Sequence, residues 1–192
     1  MPETAGRADA RLNRERLVAA AQQVVAEHGT EASLRDIARR AGVGIGTFYR
    51  HFATREALLE ALMQERFDRL RDRADELGEA PPYEAVLTWL RELAGESAAV
   101  RGLPDAVLVA LRDQDSALHT SCDAMRSAGA RLIERAQAAG VVRADLTAGD
   151  LLALAAGLAW ASTYADDQQA RLGRLFGVIE TGLVDLDQTH PV

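Results

Sequence analysis

The sequence holds a single cysteine, Cys122, and no lysine. One thiol excludes an internal disulfide and leaves no framework for a structural zinc site. Long apolar runs are missing as well. The longest, Leu151 to Ala161, falls well short of the about 20 residues that cross a bilayer. No charged-then-apolar leader opens the sequence, so the chain is expected in the cytoplasm. There is no phosphate loop, no nucleophile elbow and no carboxylate pair that the sequence singles out, so no catalytic residue is assigned and the chain is not expected to be an enzyme. His119 and Cys122 stand three apart on an expected helix, the spacing of two metal ligands. No third ligand is placed with them, so neither a metal nor another cofactor is expected. Strand alternation and internal repeats are also lacking, which leaves an all-α fold.

What remains is an ordinary globule of 192 residues, 48% hydrophobic and 27% charged, long enough for one large or two small domains with ample core. Its net charge of −7 is unevenly spread. Residues 1–55 carry nine arginines against six acids, a net of +3, which leaves −10 for the rest. A basic head on an acidic body can approach a polyanion by one end only. All 22 basic residues are arginine; with the abundant alanine and glycine, this suggests a GC-rich genome.

The most informative stretch is SLRDIARRAGVGIGTFYRHF, Ser33 to Phe52. Ser33 can cap a helix, with Asp36 three residues on. Leu34, Ile37, Ala38 and Ala41 then recur on one apolar stripe. Gly42 suits the left-handed residue that ends a helix, and Val43 fills the gap under the turn. In the second helix Phe48 and Phe52, four apart, face inward. Gly46, Thr47, Arg50 and His51 face outward, with Tyr49 at the border. Two short helices around a tight turn, the second bearing cations and hydroxyls, match the plan of a helix-turn-helix reader of the major groove.

With the VAAAQQVVAEHG helix before it and TREALLEAL after it, this stretch resembles the TetR family of bacterial transcriptional regulators; the AGV turn and the TFYRHF signature are the specific features. The resemblance covers about the first third of the chain. It implies a three-helix DNA-binding domain over 1–55, with its reader motif at 33–52, and a helical effector-binding and dimerisation domain over 56–192. It matches Ile45, Thr47, Tyr49, Arg50 and His51 to DNA-touching positions, flanked by Arg35, Thr54 and Arg55. Arg50 could clamp a guanine or pair with a phosphate, and Ile45 could pack on a thymine methyl. Gly44 and Gly46 stand where many relatives carry side chains, which brings the backbone closer to the bases and shifts part of the readout to DNA shape. The partners implied are double-stranded DNA carrying a palindromic operator, a second copy of the chain and a small-molecule effector, with no membrane; the location is the nucleoid. Two alternatives stay open: a regulator of the same fold that answers to a protein, and a helical enzyme or scaffold with a vestigial head.

The remaining segments read as helices. Residues 1–12 lack apolar periodicity and are expected to be a mobile tail, in which Arg7 and Arg11 could reach a minor groove. The first helix runs from about Asn13 to a stop at Gly29. Thr54 caps a helix to about Leu77, roughly 36 Å long at about 1.5 Å per residue, closed by Gly78 and Pro81-Pro82. Helices follow over Tyr83–Ala99, then, after a break at Gly102 and Pro104, over Asp105–Arg112, from a cap at Asp115 or Ser116 to Ala139, from Thr147 to Tyr164 and from Asp167 to Leu186. Thr147 with Asp150 forms a capping box.

The family resemblance implies an inducer cavity walled by the middle helices. Its candidate lining is Trp89, Leu93, Leu108, Leu111, His119, Cys122, Met125, Trp160 and Tyr164, residues that suit a largely apolar effector, aromatic ones included. The Leu151–Trp160 helix is apolar nearly all round and so asks to be covered on most sides. Paired with the last helix and the same two from a second chain, it would form a four-helix interface through Leu151, Leu154, Leu158, Leu172, Leu175, Phe176, Ile179 and Leu183.

Overall fold

The computed structural model describes residues 3–98, 105–163 and 165–183, and every regular element among them is helical. The order is α1 (Glu3–His28), α2 (Leu34–Arg40), α3 (Ile45–His51), α4 (Arg55–Glu76), a single 3-10 turn (Leu77–Glu79), α5 (Pro82–Ala98), α6 (Asp105–Arg112), α7 (Ala117–Ala138), α8 (Ala148–Ser162) and α9 (Gln168–Leu183). No helix among the described residues is long and apolar enough to cross a membrane. Gly102, Pro104, Tyr164 and the expected end of the last helix at Leu186 lie outside the described residues.

Local signals set the boundaries. Gly29, Gly42 and Gly140 have φ of +76°, +70° and +71°, the left-handed turn that carries a chain out of a helix. At Gly42 the closure is a Schellman motif: Gly42 N–H donates to Arg39 O at 3.1 Å and Val43 N–H to Ala38 O at 3.0 Å. Thr147 accepts from Asp150 N–H at 3.1 Å, and the Asp150 carboxylate accepts from Thr147 N–H at 2.9 Å, so two of the orphan donors at the start of α8 are used. Ser116 caps α7 by accepting from His119 N–H at 2.9 Å.

One expectation fails. Residues 3–12 are not an irregular tail; they are the first turns of α1. Three alanines and two arginines in this stretch favour a helix intrinsically, and Arg11 pairs with Glu15 one turn on at 3.5 Å. Residues 8–12 are exposed, so no apolar stripe was needed to form the helix, and none was there to reveal it.

The chain divides into two compact units, Met1–Glu65 with Ala99–Thr120 and Arg66–Ala98 with Ser121–Val192. In the first, α1 packs on α2 and α2 on α3 around Leu17, Val24, Ile37, Phe48 and Leu58, all essentially without exposure. In the second, α5 packs on α8 and α8 on α9, with Trp89, Leu90, Ile133, Leu151 and Phe176 at the centre. Arg135 reaches the carbonyls of Leu77, Gly78 and Ala80, which fixes the end of α4. Tyr83 O–H donates to Glu180 O at 2.9 Å, and Arg91 pairs with the Glu180 carboxylate, so α5 also holds α9.

Candidate nucleic-acid interface

α3 is seated from one side only. Phe48 is fully buried and Phe52 nearly so, with ring centroids 5.9 Å apart. The Arg14 guanidinium covers the Phe52 ring at 5.3 Å, and Tyr49 meets Phe48 edge-on at 5.4 Å. The opposite side of α3 is open: Ile45 is 37% and Tyr49 51% exposed, Gly46 and Arg50 are exposed, and Thr47 and His51 are half-buried. An added Cβ at Gly44 or Gly46 would meet nothing within 4 Å, and neither has a positive φ. Nothing inside the chain requires glycine at either position.

The arginines of the head divide into two groups. Arg40 donates to both Glu27 oxygens, at 2.8 and 2.6 Å, which ties α2 to α1 and holds the Glu27 carboxyl below its ordinary range. Arg39 pairs with Asp36 at 3.0 Å. Arg55 donates to the carbonyls of Thr30 and Ala32 at 2.8 and 2.6 Å, bracing the turn ahead of α2. These are occupied. Arg35, on the first turn of α2, and Arg50, at the end of α3, are exposed and make no such bond. Thr54 accepts from Ala57 N–H at 3.1 Å as the cap of α4, which leaves its O–H free to donate outward. The positions expected to flank the reading helix therefore differ: Arg35 and Thr54 present donors to solvent, whereas the Arg55 guanidinium is engaged within its own unit.

Residues 17–62 match the model of the bacterial regulatory proteins of the tetR family, and residues 81–185 match that of the transcriptional regulator SbtR-like C-terminal domain. The chain belongs to the TetR family. A TetR regulator of Streptomyces coelicolor, SCO0520, is 38% identical, aligned over 90% of this chain and 99% of its own, with a TM-score of 0.73. One from Mycobacterium vanbaalenii is 34% identical over 93% of this chain and 99% of its own, with a TM-score of 0.64. Among curated proteins, the HTH-type transcriptional regulator SAR0097 of Staphylococcus aureus is 34% identical over 67 residues, 33% of this chain and 35% of that protein; the match spans about a third of the relative's length. The relatives named are regulators of transcription, not enzymes.

The residues expected to line an effector cavity fall in both units. Trp89, Leu93 and Met125 are buried in the second unit. The Trp89 indole N–H donates to Leu70 O at 2.8 Å, so its polar tip is already in use. Cys122 is half-buried there, and burial pushes its thiol up. Leu108, Leu111 and His119 belong to the first unit, where the His119 ring nitrogen Nδ1 lies 2.9 Å from Leu111 O. Trp160 is 69% exposed on α8. Of the residues expected at a dimer interface, Leu151, Phe176, Ile179 and Leu183 are buried within their own chain, Leu158, Leu172 and Leu175 are half-buried, and Leu154 is exposed. The sequence reading missed Val178, which is 69% exposed on α9. Its place two residues from Phe176, which turns it to another face of the same helix, was the available signal.

Proposed function

We propose that this TetR-family chain is a homodimeric repressor of the cytoplasm and nucleoid, which binds a palindromic operator through α3 and is released by a small, largely apolar ligand. Residues 1–55 serve as the DNA head and 56–192 as the effector and dimerisation body. One observation carries this reading: the side of α3 bearing Ile45, Gly46, Tyr49 and Arg50 is open, while the other side is locked by Phe48 and Phe52. A short rigid helix with an unpaired cation, a ring hydroxyl and two glycines free of internal packing duty is shaped to sit between the walls of a major groove.

In this reading Arg50 and Ile45 meet base edges. Thr47, Tyr49, His51, Thr54 and Arg35 hold phosphates, and Arg55 acts by holding the turn in front of α2. The two heads engage half-sites about one helical turn, or a multiple of it, apart. The outer faces of α8 and α9, where Leu154, Trp160 and Val178 lie open, bring the second copy. A ligand releases the operator only if it favours one spacing of the heads, and operator then weakens the ligand by the same factor. Retardation of the DNA flanking its own gene in a gel, at low ionic strength, is the expected result. Protein that leaves every duplex unshifted overturns the reading.

A further inference from the structure

We propose that the effector is an apolar carboxylic acid, and that Arg66 is the residue that takes its carboxylate in exchange for Glu96. This rests on the regulator reading above and deepens it by naming the chemical class of the ligand.

Arg66 lies on α4 with its side chain only 7% exposed. A guanidinium carries five N–H donors in a planar fork. Here one hydrogen bond is made, from Nη1 to the Glu96 backbone carbonyl at 3.1 Å, which is one of the orphan acceptors in the last turn of α5. Nε is buried and has no hydrogen bond. The nearest acidic atom is Glu96 Oε2, 3.6 Å from Nε, too far for a bond of ordinary length. Burial pulls the guanidinium below its usual value, with Glu96 only partly restoring it. Capping α5 explains the Nη1 contact and nothing else about this side chain. A buried cation left with an unfilled edge is costly unless something completes it.

Glu96 is a poor partner for Arg66. It is 35% exposed, and its other oxygen already accepts from Arg69 Nη2 at 3.4 Å. A ligand carboxylate could approach the Nε edge of Arg66 in the plane of the fork and form the two parallel bonds that Glu96 does not make. Glu96 would then be left with its existing bond to Arg69, one turn along α4. The exchange places the ligand's anionic end where the Glu96 carboxylate now sits, so it calls for no preformed charge cavity. The apolar part would lie along α5. Leu93, one turn before Glu96, and Trp89, one turn before that, are buried along the same helix. Arg66 stands on α4, the helix that continues from the DNA head, so a ligand bound there bears directly on the element that would report its presence.

The test uses the full-length protein and thermal melting with benzoate, phenylacetate and octanoate, each against its neutral amide, at millimolar concentration. At least one acid should raise Tm while its amide does not. Arg66→Met should abolish that shift, and Arg66→Lys, which keeps the charge but loses the fork, should retain only part of it. Glu96→Gln removes the competitor. It should tighten the responding acid by about three- to tenfold. A panel without an acid-specific shift overturns the proposal, and so does a shift that survives Arg66→Met or weakens in Glu96→Gln. Should Arg66→Met not fold, the Glu96→Gln titration alone decides. Operator retardation by the ligand-free protein is scored separately: its loss would sink the regulator reading, whereas a silent acid panel with intact retardation would sink this proposal only.

Discussion

Trp89 and Gly129 share one volume. The six-membered ring of the indole lies where the Cβ of any other residue at position 129 would have to stand. Gly129 is buried in the middle of α7, a position where glycine is intrinsically unfavourable by about 1 kcal/mol. The close approach of the ring to the α7 backbone accounts for it. Leu70 O holds the indole from the other side. A methyl at Gly129→Ala would have to displace a rigid ring anchored at its nitrogen, and overpacking of this kind costs about 1–3 kcal/mol. Urea unfolding should show that loss despite the better helix propensity of alanine. A neutral or stabilising result would mean that the ring can swing aside.

Gly46 makes the opposite case. Space around it is open, so Gly46→Ala should stabilise the head by about 0.5–1 kcal/mol, through helix propensity alone. If the open face of α3 lies against base edges, the same methyl should weaken operator binding. Thermal melting and gel shift on one protein sample read both effects. Tighter binding, or no change in binding, would remove the close-approach argument for this glycine.

Arg50 and Arg55 are five residues apart and should behave differently. Arg50→Ala should leave the melting curve alone and cost about 1–3 kcal/mol on the preferred operator, flattening the preference at one base pair. Equal losses on all sequences would reassign Arg50 to phosphate. Arg55→Ala strips two charge-assisted bonds from the carbonyls of Thr30 and Ala32, and should lower stability by about 1.5–3 kcal/mol. At temperatures where the variant is folded its sequence preference should be unchanged. A switch of base preference in Arg55→Ala would show that its guanidinium leaves those carbonyls for DNA.

Much of this was readable beforehand, for a physical reason. Caps and stops are decided within four or five residues, so Thr147 with Asp150, a cap at Asp115 or Ser116, the stop at Gly29 and the left-handed turn at Gly42 were legible. The face of α3 was legible too, because Phe48 and Phe52 fix it by spacing alone. Residues 3–12 were not, since a helix built on propensity leaves no apolar rhythm. Nor was the difference between Trp89 and Trp160. Both are large and apolar on a helix, but only one faces a gap, and Gly129, which opens that gap, lies 40 residues further along the chain. For the same reason Leu151 and Leu154 looked alike, although one is enclosed and the other open. Burial depends on distant neighbours. Arg66 escaped notice because a charged residue inside a charged stretch of α4 reads as a solvated face.

Acid should loosen the second unit through the start of α8. Hydrogen bonds from the Thr147 hydroxyl and backbone hold the Asp150 carboxyl below its ordinary value. A carboxyl whose pKa is lowered by folding contributes stability that is present above its unfolded pKa, near 4, and is lost as pH falls through the folded value. Stability should therefore be flat on this account at neutral pH and decline below about pH 4. In Asp150→Asn the decline should be shallower, because the titrating group is gone. An identical acid limb in both proteins would assign the loss to other carboxylates, such as Glu27, which Arg40 holds down in the same way.

The outer faces of α8 and α9 carry the last prediction. Leu154 is 44% and Val178 69% exposed, on two helices packed against each other, and Gly157, Gly173 and Gly177 are exposed beside them with room for another backbone. Apolar side chains and bare backbone on adjoining helices make a surface that water does not favour and that a second identical surface can close. The wild-type chain should therefore sediment at twice 20.7 kDa at micromolar concentration. Leu154→Arg with Val178→Arg should sediment as the monomer while keeping its helical circular dichroism, since neither side chain lies in the core. Losing the second head removes the effective-concentration gain of about 10²–10⁴, so binding to the full palindrome should fall to that of a single half-site. A double variant that stays dimeric would move the interface off these helices, and a monomeric variant with undiminished operator affinity would separate DNA binding from pairing altogether.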